Sequence, residues 1–174
     1  MKKNIIVVLL CIFAVIASAQ TKNADVPQQQ EQSVKISADQ LLGAYYGIKD
    51  ALVNGSGIQA SAKATSFHEA LKTVDQSAFN EKERAAFMAL KPKLADEAQK
   101  IAVSKAVEEQ RSVFASLSGN MWELLKSFGH FDQPVYKQYC PMKKVYWVSG
   151  ETNIKNPYYG KQMLTCGKTT ETIQ

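Results

Sequence analysis

Apolar residues recur at helical spacing through four successive stretches, and this periodicity limits what the 174-residue chain can fold into more than any other feature. The clearest stretch repeats every seven residues, with Val107, Phe114, Met121 and Phe128 in register and Leu117 and Leu124 between them. A stripe of that period lies along one side of a helix and has to be covered by another element. From Ala38 onward, Leu41, Tyr45, Ile48 and Leu52 form a similar stripe, stopped by Asn54-Gly55, a pair suited to a left-handed helix end. From Gly57, Ala60, Ala64, Phe67, Leu71 and Val74 make the second stripe, whose alanines let a neighbouring helix approach closely. The third opens at Asn80, with Glu83 three residues on as in a capping box, and carries Phe87, Leu90, Leu94, Ala98 and Ile101. Pro92 inside this stripe predicts a kink near Ala89 within one helix. Gly119 is a weak point in the fourth, costing about 1 kcal/mol against alanine. Four amphipathic segments with short turns predict a mainly α fold, an up-down-up-down four-helix bundle over residues 38–128.

The character changes after Gly129. Val135–Tyr139 and Val145–Val148 are β-prone runs, and Ser149-Gly150 and Asn156-Pro157 are turn signals. Residues 129–174 therefore read as an irregular, short-β tail packed on the bundle, with one or two strands. Five of the seven tyrosines fall there, enough to seal the tail to the helices if their rings are buried, or to offer a stacking surface if exposed.

The N-terminus reads as an export signal. Met1-Lys2-Lys3-Asn4 is cationic, Ile5 to Ala17 is apolar, and Ala17-Ser18-Ala19 matches the small-x-small cleavage pattern. Thirteen apolar residues reach roughly 20 Å as a helix, short of a bilayer core of about 30 Å, so no stable membrane insertion is expected after cleavage. Residues 1–19 are read as signal peptide and 20–37, without aromatics, as a disordered leader. Residues 38–174 are read as a single domain working in the periplasm or secreted. Loss of Lys2 and Lys3 lowers the formal net charge from +5 to +3, and no basic run appears, so a nucleic-acid partner is not expected.

Loss of Cys11 with the signal leaves Cys140 and Cys166. In an oxidising compartment such a pair defaults to a disulfide, and closing a loop of about 27 residues would contribute about 3.6 kcal/mol in the chain-entropy account. A second reading adds the methionines. In Cys140-Pro141-Met142 an extended backbone turns residues i and i+2 to one side, and in Met163-Leu164-Thr165-Cys166 a helical turn does the same for i and i+3. Two thiolates and two thioethers form a soft set that selects Cu(I) or Ag(I) over hard cations. Both readings stay open on the sequence. His68 reads as a surface or boundary residue of the second helix, and His130 as a borderline ligand at the start of the tail. Neither histidine has a carboxylate and nucleophile beside it, and no phosphate loop, HExxH or GxSxG occurs, so the chain is not expected to be an enzyme.

Several blocks resemble a known family. They are Tyr45-Tyr46-Gly47-Ile48-Lys49-Asp50-Ala51-Leu52, Gln110-Arg111-Ser112-Val113-Phe114, Tyr139-Cys140-Pro141-Met142, Asn156-Pro157-Tyr158-Tyr159-Gly160 and Met163-Leu164-Thr165-Cys166-Gly167. In that order they are similar to an uncharacterised periplasmic domain of Gram-negative bacteria, also found fused to the C-terminus of copper/silver efflux membrane-fusion subunits. The resemblance implies a role in heavy-metal handling, with Cys140, Met142, Met163 and Cys166 as metal ligands and efflux-pump subunits as partners. In this chain Lys143-Lys144 lead straight into the aromatic strand, where the family has a longer, glycine-containing stretch.

Overall fold

A computed structural model describes the backbone of residues 26–129 and 131–174, with side chains described from Ala38 onward. The expected signal peptide, the start of the leader and His130 lie outside the described residues. Four helices come first: α1 (Val26–Val53), α2 (Gly57–Thr73), α3 (Glu81–Val103) and α4 (Val107–Phe128). Three strands follow, β1 (Val135–Cys140), β2 (Val145–Ser149) and β3 (Lys168–Ile173), with a 3-10 turn at Gly160–Gln162 before the last. The fold is mainly helical, with a small antiparallel sheet of order β2-β1-β3.

Helix α1 starts at Val26, so residues 26–37, expected to be without structure, continue it. Pro27 sits in the first turn, where its missing N–H costs nothing, and glutamine, glutamate and lysine are good helix formers. Once the buried part of α1 is in place, each added residue gains a hydrogen bond without a new nucleus. The other end closes as the Asn54-Gly55 pair predicts. Gly55 takes φ 71°, its N–H donates to Leu52 O, and Ser56 N donates to Ala51 O, the two bonds of a Schellman cap. The Ser56 hydroxyl then accepts from Gln59 N and caps α2, so one three-residue turn serves both helices.

Asn80 and Glu83 form the expected capping box, each side chain accepting from the other's backbone N–H, at 3.0 and 2.8 Å. Pro92 is contained in α3, which runs on as a single helix. Gly57 opens α2 where an added Cβ would stand 2.1 Å from Lys105 O, so the α3–α4 connection passes directly over it. The buried Gln110 amide nitrogen lies within 2.7–3.2 Å of the carbonyls of Gly57, Ile101 and Ser104, tying three helices at that corner.

The stripes meet in one core. Phe67, Phe87, Leu94, Phe114, Leu117 and Met121 are fully buried, while Val107 and Phe128, at the ends of their heptad, are half-buried. The sheet docks through β2, whose Trp147 and Val148 are buried against α4. Rings carry the contact inward: Tyr45 stacks on Phe114 at 5.2 Å, Phe114 meets Tyr158 at 6.0 Å, and Tyr158 meets Trp147 at 6.1 Å. The Tyr45 hydroxyl bridges Ser118 Oγ at 2.7 Å and accepts from Val148 N at 3.0 Å. Burial pushes its pKa well above the ordinary phenol value, against the opposing effect of these hydrogen bonds. Most of the tail's aromatic area thus seals sheet to helices, although Tyr146 stays 41% exposed. No helix among the described residues is long and apolar enough to cross a membrane.

Candidate sulfur site

Asn156 organises the C-terminal tail. The residue is fully buried and every polar group it owns is bonded. Its N–H donates to Leu164 O at 2.8 Å, and its carbonyl accepts from Gly160 N at 3.0 Å. The side-chain oxygen accepts from Tyr158 N at 2.8 Å. The amide nitrogen donates to Cys166 O at 2.7 Å and to Cys140 Sγ at 3.2 Å. A short polar side chain that satisfies a loop from within is the arrangement that lets an irregular segment be buried at all.

Cys140 is the last residue of β1 and is fully buried; Cys166 lies between the 3-10 turn and β3 and is half-buried. Both are free thiols. One amide reaches both residues, so the Cys140 sulfur and the Cys166 carbonyl are no farther apart than those two hydrogen bonds together. Gly167 permits the approach. A Cβ there would stand 2.8 Å from the Trp147 ring and 2.9 Å from Tyr139 O, so only glycine lets the strand after Cys166 lie this close to β1.

The methionines part company. Met163 is half-buried, and its carbonyl accepts from Cys166 N at 3.1 Å, so the pair shares the single turn expected of it. Met142 does not join Cys140. The strand ends at Cys140, residues 141–144 turn back with Lys144 N donating to Cys140 O at 2.8 Å, and Met142 stands 60% exposed on that turn. The expectation of an extended Cys140-Pro141-Met142 is corrected on this point: Pro141 has no N–H to continue a ladder, and it starts the turn instead. Cys140 and Cys166 are therefore gathered around Asn156, Met163 lies on the turn that carries Cys166, and Met142 is exposed on the β1–β2 turn.

No group of three or more His, Cys, Asp or Glu gathers at one place among the described residues. His68 Nδ1 lies 3.2 Å from Ala95 O, joining α2 to α3 as a boundary residue would. The donors present fit a small, soft, monovalent cation, which accepts low coordination by sulfur, and do not fit a hard cation needing six oxygens. Asn156 was readable in the sequence only as a turn residue before Pro157, because three of its partners, Leu164, Cys166 and Cys140, lie eight to sixteen positions away.

No curated protein matches the chain, and no solved structure does. A match does come from the family model described as "Protein of unknown function (DUF3347)", over residues 41–133, from α1 to the segment just before β1 and short of both cysteines. With more than half its length so matched, the chain belongs to the DUF3347 family.

Proposed function

We propose that this protein is an exported, periplasmic binder of Cu(I) or Ag(I), chaperone-like rather than catalytic, that serves heavy-metal efflux or tolerance alongside pump subunits. The observation that carries the reading is the pair of unbridged cysteines, Cys140 and Cys166, both hydrogen-bonded to the Asn156 amide, with Met163 one turn away. When bound, the cation would supply only its affinity for sulfur. The chain's own residues do the rest. Cys140 and Cys166 hold as thiolates, Met163 adds a thioether, Asn156 orients one sulfur through its N–H, and burial keeps water from Cys140. A monovalent cation between two thiolates leaves one negative charge, which Lys143 and Lys144 on the adjacent turn offset. Resemblance to the domain found on copper/silver efflux subunits supports the same direction.

The full burial of Cys140 favours a second reading, in which the two thiols close a structural disulfide and the tail serves a non-catalytic envelope interaction module. Native mass spectrometry of the fully reduced protein offered one equivalent of Cu(I) separates the two. One metal per chain, absent in Cys140→Ser and Cys166→Ser and retained in Met142→Leu, supports the sulfur site. A protein that stays metal-free under these conditions refutes it.

A further inference from the structure

The outer side of α4 carries a second feature, which meets the turn beside the sulfur site at Lys143 and Lys144. Three hollows of about 330, 220 and 230 Å³ lie along it. Glu108 and Arg111 line both the first and the second, and Ala115 and Val145 line both the second and the third. They therefore join into one groove following α4 from Glu108 to Glu123, about 22 Å at the helical rise. The floor is small, formed by Ser112, Ala115 and Gly119. The opposite wall is the β1–β2 turn and the start of β2, with Lys143, Lys144 and the half-exposed Tyr146.

One residue facing this groove breaks a local rule without any return inside the molecule. Gly119 lies in the interior of α4, where glycine costs about 1 kcal/mol, yet an added Cβ would meet nothing within 4 Å. Internal packing does not require it. Lys144 faces it across the hollow and takes φ 57° as the residue that closes the β1–β2 turn, its N–H donating to Cys140 O. Both line the same hollow, one from each side. A helix-interior glycine that packing does not require, on the floor of a groove, marks a surface shaped for something outside the chain.

We infer that the groove docks an extended, carboxylate-bearing segment of a partner protein, its backbone passing over Gly119 and its acidic side chains meeting Lys143, Lys144 and Lys161. Length fits, since about seven extended residues span the groove. Chemistry fits, since the lining sets Arg111, Lys137, Lys143, Lys144 and Lys161 against Glu108 and Glu123, a positive balance, with Arg111 and Lys137 already paired with Glu108 and Glu171. A missing side chain on the floor admits main chain more readily than a ring. A second copy is disfavoured by the positive formal net charge, +3 once Lys2 and Lys3 leave with the signal.

Fluorescence anisotropy with a labelled seven-residue peptide alternating glutamate and alanine tests this, with a lysine–alanine peptide as control and amide shifts in a nitrogen-15 spectrum as the map. The acidic peptide is expected to bind and to shift Gly119 and Tyr146. Lys144→Glu weakens it about tenfold or more. Gly119→Leu abolishes binding while melting no lower than the parent, so a folding defect cannot imitate the result. Failure of the acidic peptide to bind at millimolar concentration overturns the inference, as does equal binding of the basic peptide or binding that survives Gly119→Leu. Citrate shifting the same amides as strongly would make this a small-anion site, and a dimer broken by Gly119→Leu would make it a self-interface; either result also overturns it.

Discussion

Single side chains in this protein carry long-range connections that composition conceals. Asn156 is the clearest case, and replacing it tests how much of the tail depends on one amide. Asn156→Ala leaves Tyr158 N and Cys166 O without partners in a buried place. It should cost about 2–4 kcal/mol in urea unfolding, with faster hydrogen exchange at Tyr158. Glu97 shows the opposite balance. One carboxylate oxygen accepts from Asn120 Nδ2 at 2.8 Å while the other is buried without a partner, and desolvation raises its pKa above the usual carboxylate value. The folded state therefore holds the proton more tightly than the unfolded one. Stability from this group is present at acidic pH and is lost as pH rises through the raised folded value. Glu97→Gln should melt higher than the parent at pH 7, by well under about 1 kcal/mol after solvent screening, and the gain should vanish as the pH is lowered. A loss of stability at pH 7 would contradict this. Signals confined to a few neighbouring positions were legible in the sequence, as at Asn80 with Glu83 and at Asn54-Gly55. Asn156 was not, because its partners arrive only with the fold.

Elements read from periodicity came through with their faces intact, since a helix stripe states its own burial: Phe67, Phe87, Phe114 and Met121 are all fully buried. Strand β3 was invisible for the matching reason. Lys168-Thr169-Thr170-Glu171-Thr172-Ile173 lies on the sheet edge, exposed along nearly its whole length, so no apolar alternation marks it. The reach of α1 back to Val26 was missed because residues 26–37 carry no apolar stripe in the sequence, and helix propensity alone is a weak signal. Two glycines in helices make opposite predictions that local sequence alone cannot separate. Gly119→Ala should stabilise by about 1 kcal/mol, because its Cβ enters open space. Gly57→Ala should destabilise by about 2 kcal/mol or more, because its Cβ would collide with Lys105 O. Thermal melts of the two variants check both signs.

In the molecule as a whole, the small sheet and the helices form one buried unit, and Tyr45 is the polar link between them. Its hydroxyl joins Ser118 on α4 to Val148 N on β2. Tyr45→Phe keeps the ring stacked on Phe114 but leaves a buried N–H unpaired, so it should cost about 1–3 kcal/mol and release exchange at Val148 more than at α3 amides. Docking of the sheet matters for the proposed function because it sets where the two cysteines lie. Burial of Trp147 and the close approach at Gly167 bring the Cys166 segment against β1, and the turn after Cys140 carries Met142 outward. The sequence pattern named four soft ligands, but only the packed tail distinguishes the two cysteines that share Asn156, with Met163 on the turn beside Cys166, from the exposed Met142.

Competition for Cu(I) between the fully reduced protein and a coloured chelator tests the central proposal most directly, run on the parent and on Cys140→Ser, Cys166→Ser, Met163→Leu and Met142→Leu. The proposal predicts one equivalent taken by the parent, lost in both serine variants, weakened about tenfold in Met163→Leu and unchanged in Met142→Leu. A parent that takes no copper from the chelator, or copper retained by both serine variants, would contradict it.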